Sequence, residues 1–342
     1  MLTPKEINEI KTLLENSNNP LYLFDDDGDG LCAYLLLKKH FKKGKGIPIK
    51  TAGPLDTKYS IYFYEENSDL LVILDKALVK QELIDDINSK VIYLDHHPLQ
   101  QLKKVNYYNP LLKNKKAYIP TSHMAYEVVK TNLWIATVGC LFDYHSPEFL
   151  KEFTKEYPDL LKKPESDSGY ILFETKLGQL VKLFAFNMKG KINEVKKSID
   201  FLEKIDSPYE ILNQTTDNGA YLYKRYEKLN KDYEELLNKA KKIADKENVL
   251  VFEYPSTPVS FTQYLSTELS YLYKDKTIIV AREKEIDMKI SLRNQKKNIA
   301  KILAKALEGL RGHGGGHEHA CGASVDRRDY NEFLLRIKNL TK

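Results

Sequence analysis

Four carboxylates crowd into five positions at Asp25-Asp26-Asp27-Gly28-Asp29, directly after the apolar run LYLF. Neighbouring acids repel at neutral pH, so a chain that assembles them needs a compensating positive charge. Two further acidic positions stand in the same relation to an apolar run. Asp75 follows LVIL, and Asp95-His96-His97 follows VIYL. One aspartate after a strand reads as a turn or a helix cap. Three, one of them with adjacent histidines, read as a site. Hard carboxylate oxygens with imidazole suit Mn2+ or Mg2+ and do not suit a structural zinc site, which would call for nearby cysteine. Two divalent ions ~3.5–4 Å apart clamp a phosphoryl oxygen and activate water. That chemistry needs no serine or cysteine nucleophile.

The elements that would position these residues are legible as strands and helices. From Leu21 to about Asp143, LYLF, YSIYFYE, LLVILD and KVIYLD read as buried strands. GLCAYLLLKKHF and the segment 78–88 read as helices between them. Continuous apolar runs with helical crossovers predict a doubly wound, mostly parallel α/β sheet. In such sheets ligands bind outside the carboxyl ends of the strands, where the acids fall. Residues 121–204 read as helical. Over 219–246, Leu222, Tyr226, Leu229, Tyr233, Leu236, Ala240 and Ile243 form one apolar stripe on a long helix. NVLVFEY, KTIIVAR and MKISLR then read as strands, with helices at 260–273, 298–309 and 328–340. The expected organisation is a catalytic α/β domain over 1–170, a helical connector over 171–246 and a smaller α/β domain over 247–342.

The chain has 342 residues, 42% of them hydrophobic, which suits two cores and excludes a disordered composition. Three scattered cysteines, Cys32, Cys140 and Cys321, read as reduced thiols of a cytoplasmic protein. The start, MLTPKEINEIKTLLENS, reads as a helix with a Thr3/Glu6 capping box and Pro4 in its first turn, not as a signal peptide. No apolar run approaches the ~18 residues that would cross a membrane. The net charge of +5 is mild. Lysine-rich, aromatic-bearing stretches at 38–50 and 103–118 read either as ordinary solvated surface or as a phosphate-attracting one. Near the C-terminus, RGHGGGHEHACG could be a flexible loop. Its histidines, with Arg293 and Arg311 among only seven arginines, favour a phosphate contact instead. Glycines let backbone N–H groups approach a phosphate, and arginine offers a planar fork.

These motifs together resemble the DHH phosphoesterase superfamily. The resemblance rests on DDDGDG at 25–30, LD at 74–75, LDHH at 94–97, VGCLFD with Gly139 and Asp143, and GHGGGHEHACG preceded by SLR at 291–293. It covers both ends of the chain, with five motifs in the family's order. It implies that Asp25, Asp27 and Asp75 hold one metal ion and that Asp29, Asp75, His96 and Asp143 hold the other, with Asp75 shared. Mn2+ is the implied ion and Mg2+ its alternative. His97 is implied to contact the scissile phosphate and Asp95 to orient a histidine from behind. Gly28 and Gly30 are expected to allow a tight turn that points the acids inward. Arg293, Arg311, His313, Gly314, Gly315, Gly316 and His317 are the implied substrate-binding residues of a DHH-associated domain. The sequence departs from the pattern at Lys76-Ala77, where relatives often carry Gly or Ser, and at an additional Asp26, expected to face solvent or cap a helix.

Within the superfamily, the Asp-x-Asp-x-Asp-Gly start resembles RecJ-like single-strand exonucleases of the compact archaeal kind. That implies a nuclease acting on single-stranded DNA or RNA in repair, in a cleft between the two lobes, with a helicase or replication and repair proteins as potential partners. Two other readings stand beside it. One is a nanoRNase or pAp phosphatase for very short substrates. The other, of a different class, is a catalytically idle scaffold, which would not need metal.

Overall fold

The computed structural model describes residues 1–51, 53–244 and 248–342. They form two compact units, Met1–Lys224 and Arg225–Lys342.

The first unit opens with α1 (Pro4–Asn16), whose N-terminus is closed by the capping box: Thr3 Oγ1 accepts from Glu6 N–H, and the Glu6 carboxylate accepts from Thr3 N–H. β1 (Pro20–Asp25), α2 (Gly28–Phe41), β2 (Lys45–Ile49), α3 (Ser60–Glu65), β3 (Leu70–Leu74), α4 (Gln81–Asp86), β4 (Lys90–Leu94) and β5 (Asn106–Tyr108) follow. The five strands make one sheet in the order β2-β1-β3-β4-β5, and every pair is parallel. The central strands are buried along nearly their whole length. That is why they read as unbroken apolar runs rather than as alternation. The stretch YSIYFYE, expected as a strand, is instead a 3-10 turn at Thr57–Tyr59 leading into α3. Tyr59, Tyr62 and Phe63 pack on the core, while Ile61 and Tyr64 face outward. This is a spacing of three and four, the helical period.

Helices α5 (Thr121–Val129), α6 (Leu133–Phe142), α7 (Leu150–Glu156), α8 (Ser168–Glu174), α9 (Lys176–Asn187), α10 (Ile192–Leu202) and α11 (Pro208–Leu212) complete this unit. α2 is buried on all faces from Gly28 to Leu37, and it lies against α5 and α6. The long helix α12 (Asp217–Lys242) starts in the first unit and ends in the second. It stops short of 246: residues 243 and 244 are a turn, and 245–246 lie outside the described residues. Its inward stripe is Leu222, Tyr226, Tyr233, Leu237, Ala240 and Ala244. Leu229 and Leu236 are half-buried, and Ile243 is exposed, so the stripe tracks the helix in steps of three, four and seven and passes Ile243 by.

The second unit contains β6 (Val249–Tyr254), α13 (Thr262–Leu272), β7 (Thr277–Lys284), β8 (Asp287–Arg293), α14 (Ile299–Leu307), β9 (Gly312–His317), β10 (Ala320–Asp326) and α15 (Tyr330–Leu340). Its mixed sheet runs β6-β7-β8-β10-β9, with only β6 and β7 parallel. The glycine-rich stretch is therefore neither loop nor turn. GHGGGH is the edge strand of a hairpin with ACGASVD, and all six of its residues are exposed. Cys32, Cys140 and Cys321 are unpaired and buried. No described helix is long and apolar enough to cross a membrane.

Candidate active site

Sheet register brings the three acidic strand ends together. Phe24 pairs with Leu74, and Leu74 pairs with Leu94. The next residue on each strand is Asp25, Asp75 and Asp95, so the acids stand in one row at the carboxyl edge. The strand order reverses between β1 and β3, which is where doubly wound sheets open a crevice for ligands. Asp75 has φ of +59°, a left-handed conformation uncommon outside glycine, asparagine and aspartate. Its N–H donates to Leu94 O at 2.9 Å, which fixes this turn against the neighbouring strand. Strained backbone of this kind persists where the surroundings over-determine it.

The aspartates after β1 have separate tasks. Asp25 is engaged by a buried lysine, whose Nζ donates to Asp25 Oδ1 at 2.6 Å and to Thr51 O at 2.8 Å. That lysine is Lys76, one of the two departures from the family pattern. Asp26 is half-buried and caps nothing. Burial and the charge of Asp25 push its carboxyl up to about 6. The helix cap is Asp27, which accepts from Gly30 N–H at 3.1 Å, with its carboxyl close enough to Asp75 for the two to interact. Asp29 is fully buried: Oδ2 accepts from Thr121 N–H at 2.6 Å, and Oδ1 accepts from Ser122 N–H at 2.9 Å and from the Ser122 hydroxyl. Thr121 and Ser122 open α5, so this carboxylate sits on a helix N-terminus, whose unpaired N–H groups favour an anion.

Gly28 and Gly30 lie within α2 and do not make a left-handed turn. They permit close approach. A Cβ on Gly30 would lie 2.7 Å from Asp25 O, and one on Gly28 would enter the Phe142 ring. Gly139 plays the same part in α6, where a Cβ would lie 2.5 Å from the Ser122 side chain and 2.6 Å from Cys32. That contact sets α6, and Asp143 at its end, close to Asp29.

His96 and His97 extend from β4 into the row. His96 Nε2 lies 3.1 Å from Asp143 Oδ2 and 3.3 Å from Asp75 Oδ1. His97 Nδ1 lies 2.7 Å from Asp95 Oδ1, and Asn109 Nδ2 donates to the other Asp95 oxygen at 3.3 Å and to His97 O at 2.9 Å. Asp95 is completely buried. It accepts from Nδ1, so the Nε2 atom of His97 is the one left to offer outward. Burial alone would lower the pKa of His97, but the hydrogen bond and charge of Asp95, helped by Asp27 and Asp25, turn the net shift upward.

The donors come together in two sets, Asp75-His96-His97 and Asp29-His96-Asp143, each with ligand atoms within 4.8 Å of one another. Among the described residues, Asp25 and Asp27 join neither set at that distance. Burial, with repulsion between neighbouring acids, raises the pKa of this set. Burial, then Asp25 and Asp29, push Asp27 up to about 7; burial pushes Asp29 up to about 6 against its hydrogen bonds to Ser122 and Thr121. Burial and neighbouring aspartates push Asp75 and Asp143 well up as well. A buried, self-repelling set of oxygens with imidazole beside it fits a hard divalent cation.

A measurable pH dependence follows. In the fold these acids bind protons at a pH where the unfolded chain's carboxylates are already ionised, Asp27 up to about 7. The folded state therefore loses stability as pH rises through their raised values. Buried His123, held down to about 4, contributes little above its ordinary 6.5. Metal-free protein should show a falling Tm from pH 6.5 to 8, and saturating Mn2+ should flatten the fall. A metal-free Tm that rises over that range would contradict the assignment.

The second unit places Arg293 at the end of β8, in register with Ala320, which pairs with His317. Arg293 and His317 thus share one row across the sheet. Arg293 is largely committed to the protein: Nε donates to Thr267 Oγ1 at 3.3 Å, and Nη1 donates to Leu292 O at 2.8 Å and Cys321 O at 3.3 Å. Burial pushes it down to about 10. Arg311 is taken up by a two-pronged pair with Asp329, at 2.8 and 2.6 Å. That pairing engages Arg311, one of the expected substrate-binding residues, within the protein. His313, Gly314, Gly315 and Gly316 line the exposed edge strand, where Gly315 has open space around it and Gly316 has φ of +144°.

Sequence reasoning missed Lys76, Asn109, Thr121 and Ser122 as members of the site. Lys76 adjoins Asp75 in the chain, but nothing local says that it turns back to Asp25. The signal for the other pair was Pro120-Thr121-Ser122, a helix start whose N–H groups need an acceptor.

Two family models match in order. DHH family, N-terminal domain, covers residues 22–162, and the DHHA1 domain covers 248–342. No curated protein matches the chain in sequence. Among solved structures, RecJ from Thermus thermophilus in complex with Mn2+ superposes with a TM-score of 0.73 at 18% identity, over all of this chain and 55% of that one. This chain thus spans about half the length of that RecJ. An exonuclease RecJ bound to manganese gives 0.66 at 16%, over 99% of this chain and 95% of that one. The pGpG-specific phosphodiesterase PggH from Vibrio cholerae gives 0.52 at 12%, over 95% and 99%. These likenesses show the fold. With the two models framing the aspartates and histidines of the first sheet and the GHGGGH hairpin of the second, the chain belongs to the DHH phosphoesterase superfamily, a DHH domain followed by a DHHA1 domain in a RecJ-like fold.

Proposed function

We propose that the protein is a divalent-metal-dependent phosphodiesterase that shortens single-stranded nucleic acid from an end and releases mononucleotides. The observation that carries this reading is the row of Asp25, Asp75 and Asp95-His96-His97 at the carboxyl edge, facing Asp29 and Asp143. Asp29, Asp75, His96 and Asp143 would hold one ion, and Asp25, Asp27 and Asp75 the other, with Mn2+ or Mg2+ as the ions. Bound there, such ions would polarise a phosphoryl oxygen and lower the pKa of water.

The chain's own groups supply the rest. Asp95 fixes the ring of His97, so that Nε2 can donate to a non-bridging phosphate oxygen as negative charge builds there. Asn109 holds Asp95 in place. Thr121 and Ser122 hold Asp29, and the Thr121 hydroxyl donates to Asp75 Oδ1 at 3.2 Å. In the second unit, Arg293 and His317 would contact the strand.

A second reading has its own support. The likeness to PggH spans nearly the full length of both chains, and Arg311 is already paired, which favours a dinucleotide over a long strand. Digestion of end-labelled single-stranded DNA and RNA of graded length with Mn2+, reading both ends, tests the two together. Long single strands degraded to mononucleotides, with duplex resistant, support the exonuclease. Dinucleotides or pAp cut far faster than long strands would overturn it in favour of the second reading. No hydrolysis of any phosphodiester, with metal bound, would overturn both.

A further inference from the structure

A second cluster of ligand-type side chains lies beside the DHH site and shares no residue with it. His123 is on the first turn of α5, and His145 and Glu148 lie between α6 and α7. One nitrogen from each ring and one Glu148 oxygen fall within 4.8 Å of one another. His123 Nε2 is 3.9 Å from Glu148 Oε2, and the two rings are 5.6 Å apart. The His123 side chain is only 4% exposed. Its Nδ1, like Nε2 of His145, is buried with no hydrogen-bond partner. A buried polar atom left unpaired is costly; an ion would give the His145 Nε2 atom a partner, whereas on His123 it is Nε2, not the unpartnered Nδ1, that lies 3.9 Å from Glu148. Phe149 and Tyr126 continue the wall behind His123. Burial, then the neighbouring His145, hold His123 neutral, the form that coordinates a metal.

We propose that His123, His145 and Glu148 form a second metal site, distinct from the aspartate cluster, which takes a borderline ion such as Zn2+. The donor chemistry separates the two. Two imidazoles and one carboxylate form a zinc ligand set that leaves a fourth position for water, whereas the aspartate cluster suits harder ions. The His145-Ser146-Pro147-Glu148 spacing brings two donors from one short turn, and Glu148, 78% exposed, can swing to close the set. A tetrahedral zinc with bonds of about 2.0 Å needs donor separations of roughly 3.3 Å, against 3.9 Å between His123 Nε2 and Glu148 Oε2 before an ion is bound.

The placement gives the ion a task. His123 follows Ser122, which holds Asp29, and His145 follows Asp143 by two residues. An ion here ties the start of α5 to the end of α6, the two segments that set the spacing between Asp29 and Asp143.

The test is calorimetric titration of the chelator-stripped full chain with Zn2+, in an Asp75→Asn/His96→Asn background that removes a ligand from both donor sets of the aspartate cluster. One Zn2+ per chain should still bind. Adding Glu148→Ala should weaken that binding at least tenfold, by comparison with the ~10–100-fold cost of losing even an outer partner of a metal. Glu148 is exposed, so the metal-free melting curve of this variant should match its parent. Co2+ bound in the same background should give a visible absorption band that His145→Asn alters. No Zn2+ binding in the background chain would overturn the proposal, and so would binding that Glu148→Ala and His145→Asn leave unchanged. Phosphodiester hydrolysis is not read, so failure here is separate from failure of the proposed activity.

Discussion

Asp75→Asn is expected to lower divalent-metal affinity and phosphodiesterase activity by at least about 100-fold, the upper range for disturbing even an outer partner of a bound metal. Asp75 is 1% exposed and faces His96, His97 and the Asp27 carboxyl together. Asparagine is the right probe because it tolerates the +59° φ at this position, whereas alanine would add backbone strain. The same substitution should raise the Tm of the metal-free protein at pH 8, because it removes an acid that the fold either keeps protonated against the solvent or holds charged beside its neighbours. Activity and stability thus move in opposite directions, which a mere folding defect cannot mimic. Asp26→Asn is the control: Asp26 is assigned to neither ion, and its loss should leave metal binding within a few-fold. Equal metal affinity in the two variants would remove Asp75 from the site.

The second large effect is expected at His97. His97→Ala should lower kcat by about 10²–10³ and leave KM nearly unchanged, the pattern for a donor that acts as charge develops on the phosphate. Asp95→Asn should act through the same ring. The Asp95 carboxylate helps to raise the pKa of His97, so its neutralisation should move the alkaline limb of the kcat profile to lower pH. An unmoved limb in Asp95→Asn, or an effect of His97→Ala confined to KM, would refute a proton-donating role.

The central sheet could be read from the sequence because β1, β3 and β4 are buried on both faces and leave nothing but apolar residues in a row. The same burial sets the register, so the row of acids was legible one residue past each run. The edges were not. β2 contains Lys45 and Pro48, and β5 is three residues of Asn-Tyr-Tyr. Lysine and proline are what edge strands use against unwanted pairing; those within β2, and Lys103 and Lys104 just before β5, made both stretches read as charged surface. YSIYFYE misled in the other direction, since its many aromatics have high strand propensity while their buried positions follow the helical period. The GHGGGH strand carries no side-chain pattern, and only its pairing with ACGASVD defines it. Within the site, the acids were legible as residue types. Their hydrogen-bond partners were not, because Asn109, Thr121 and Ser122 reach them from separate parts of the chain.

Lys76 gives the cluster a property that the row of acids alone would lack. A dissolved cation leaves Asp25 when the solution is diluted or chelated; the Lys76 ammonium is part of the polypeptide and stays at 2.6 Å. Asp25 therefore meets every incoming ion with a tethered rival already in place, one whose local concentration is set by chain geometry rather than by the medium. The two ends of the cluster are inequivalent for that reason: at the His96 end an ion displaces protons, and at the Asp25 end it must also displace an amine.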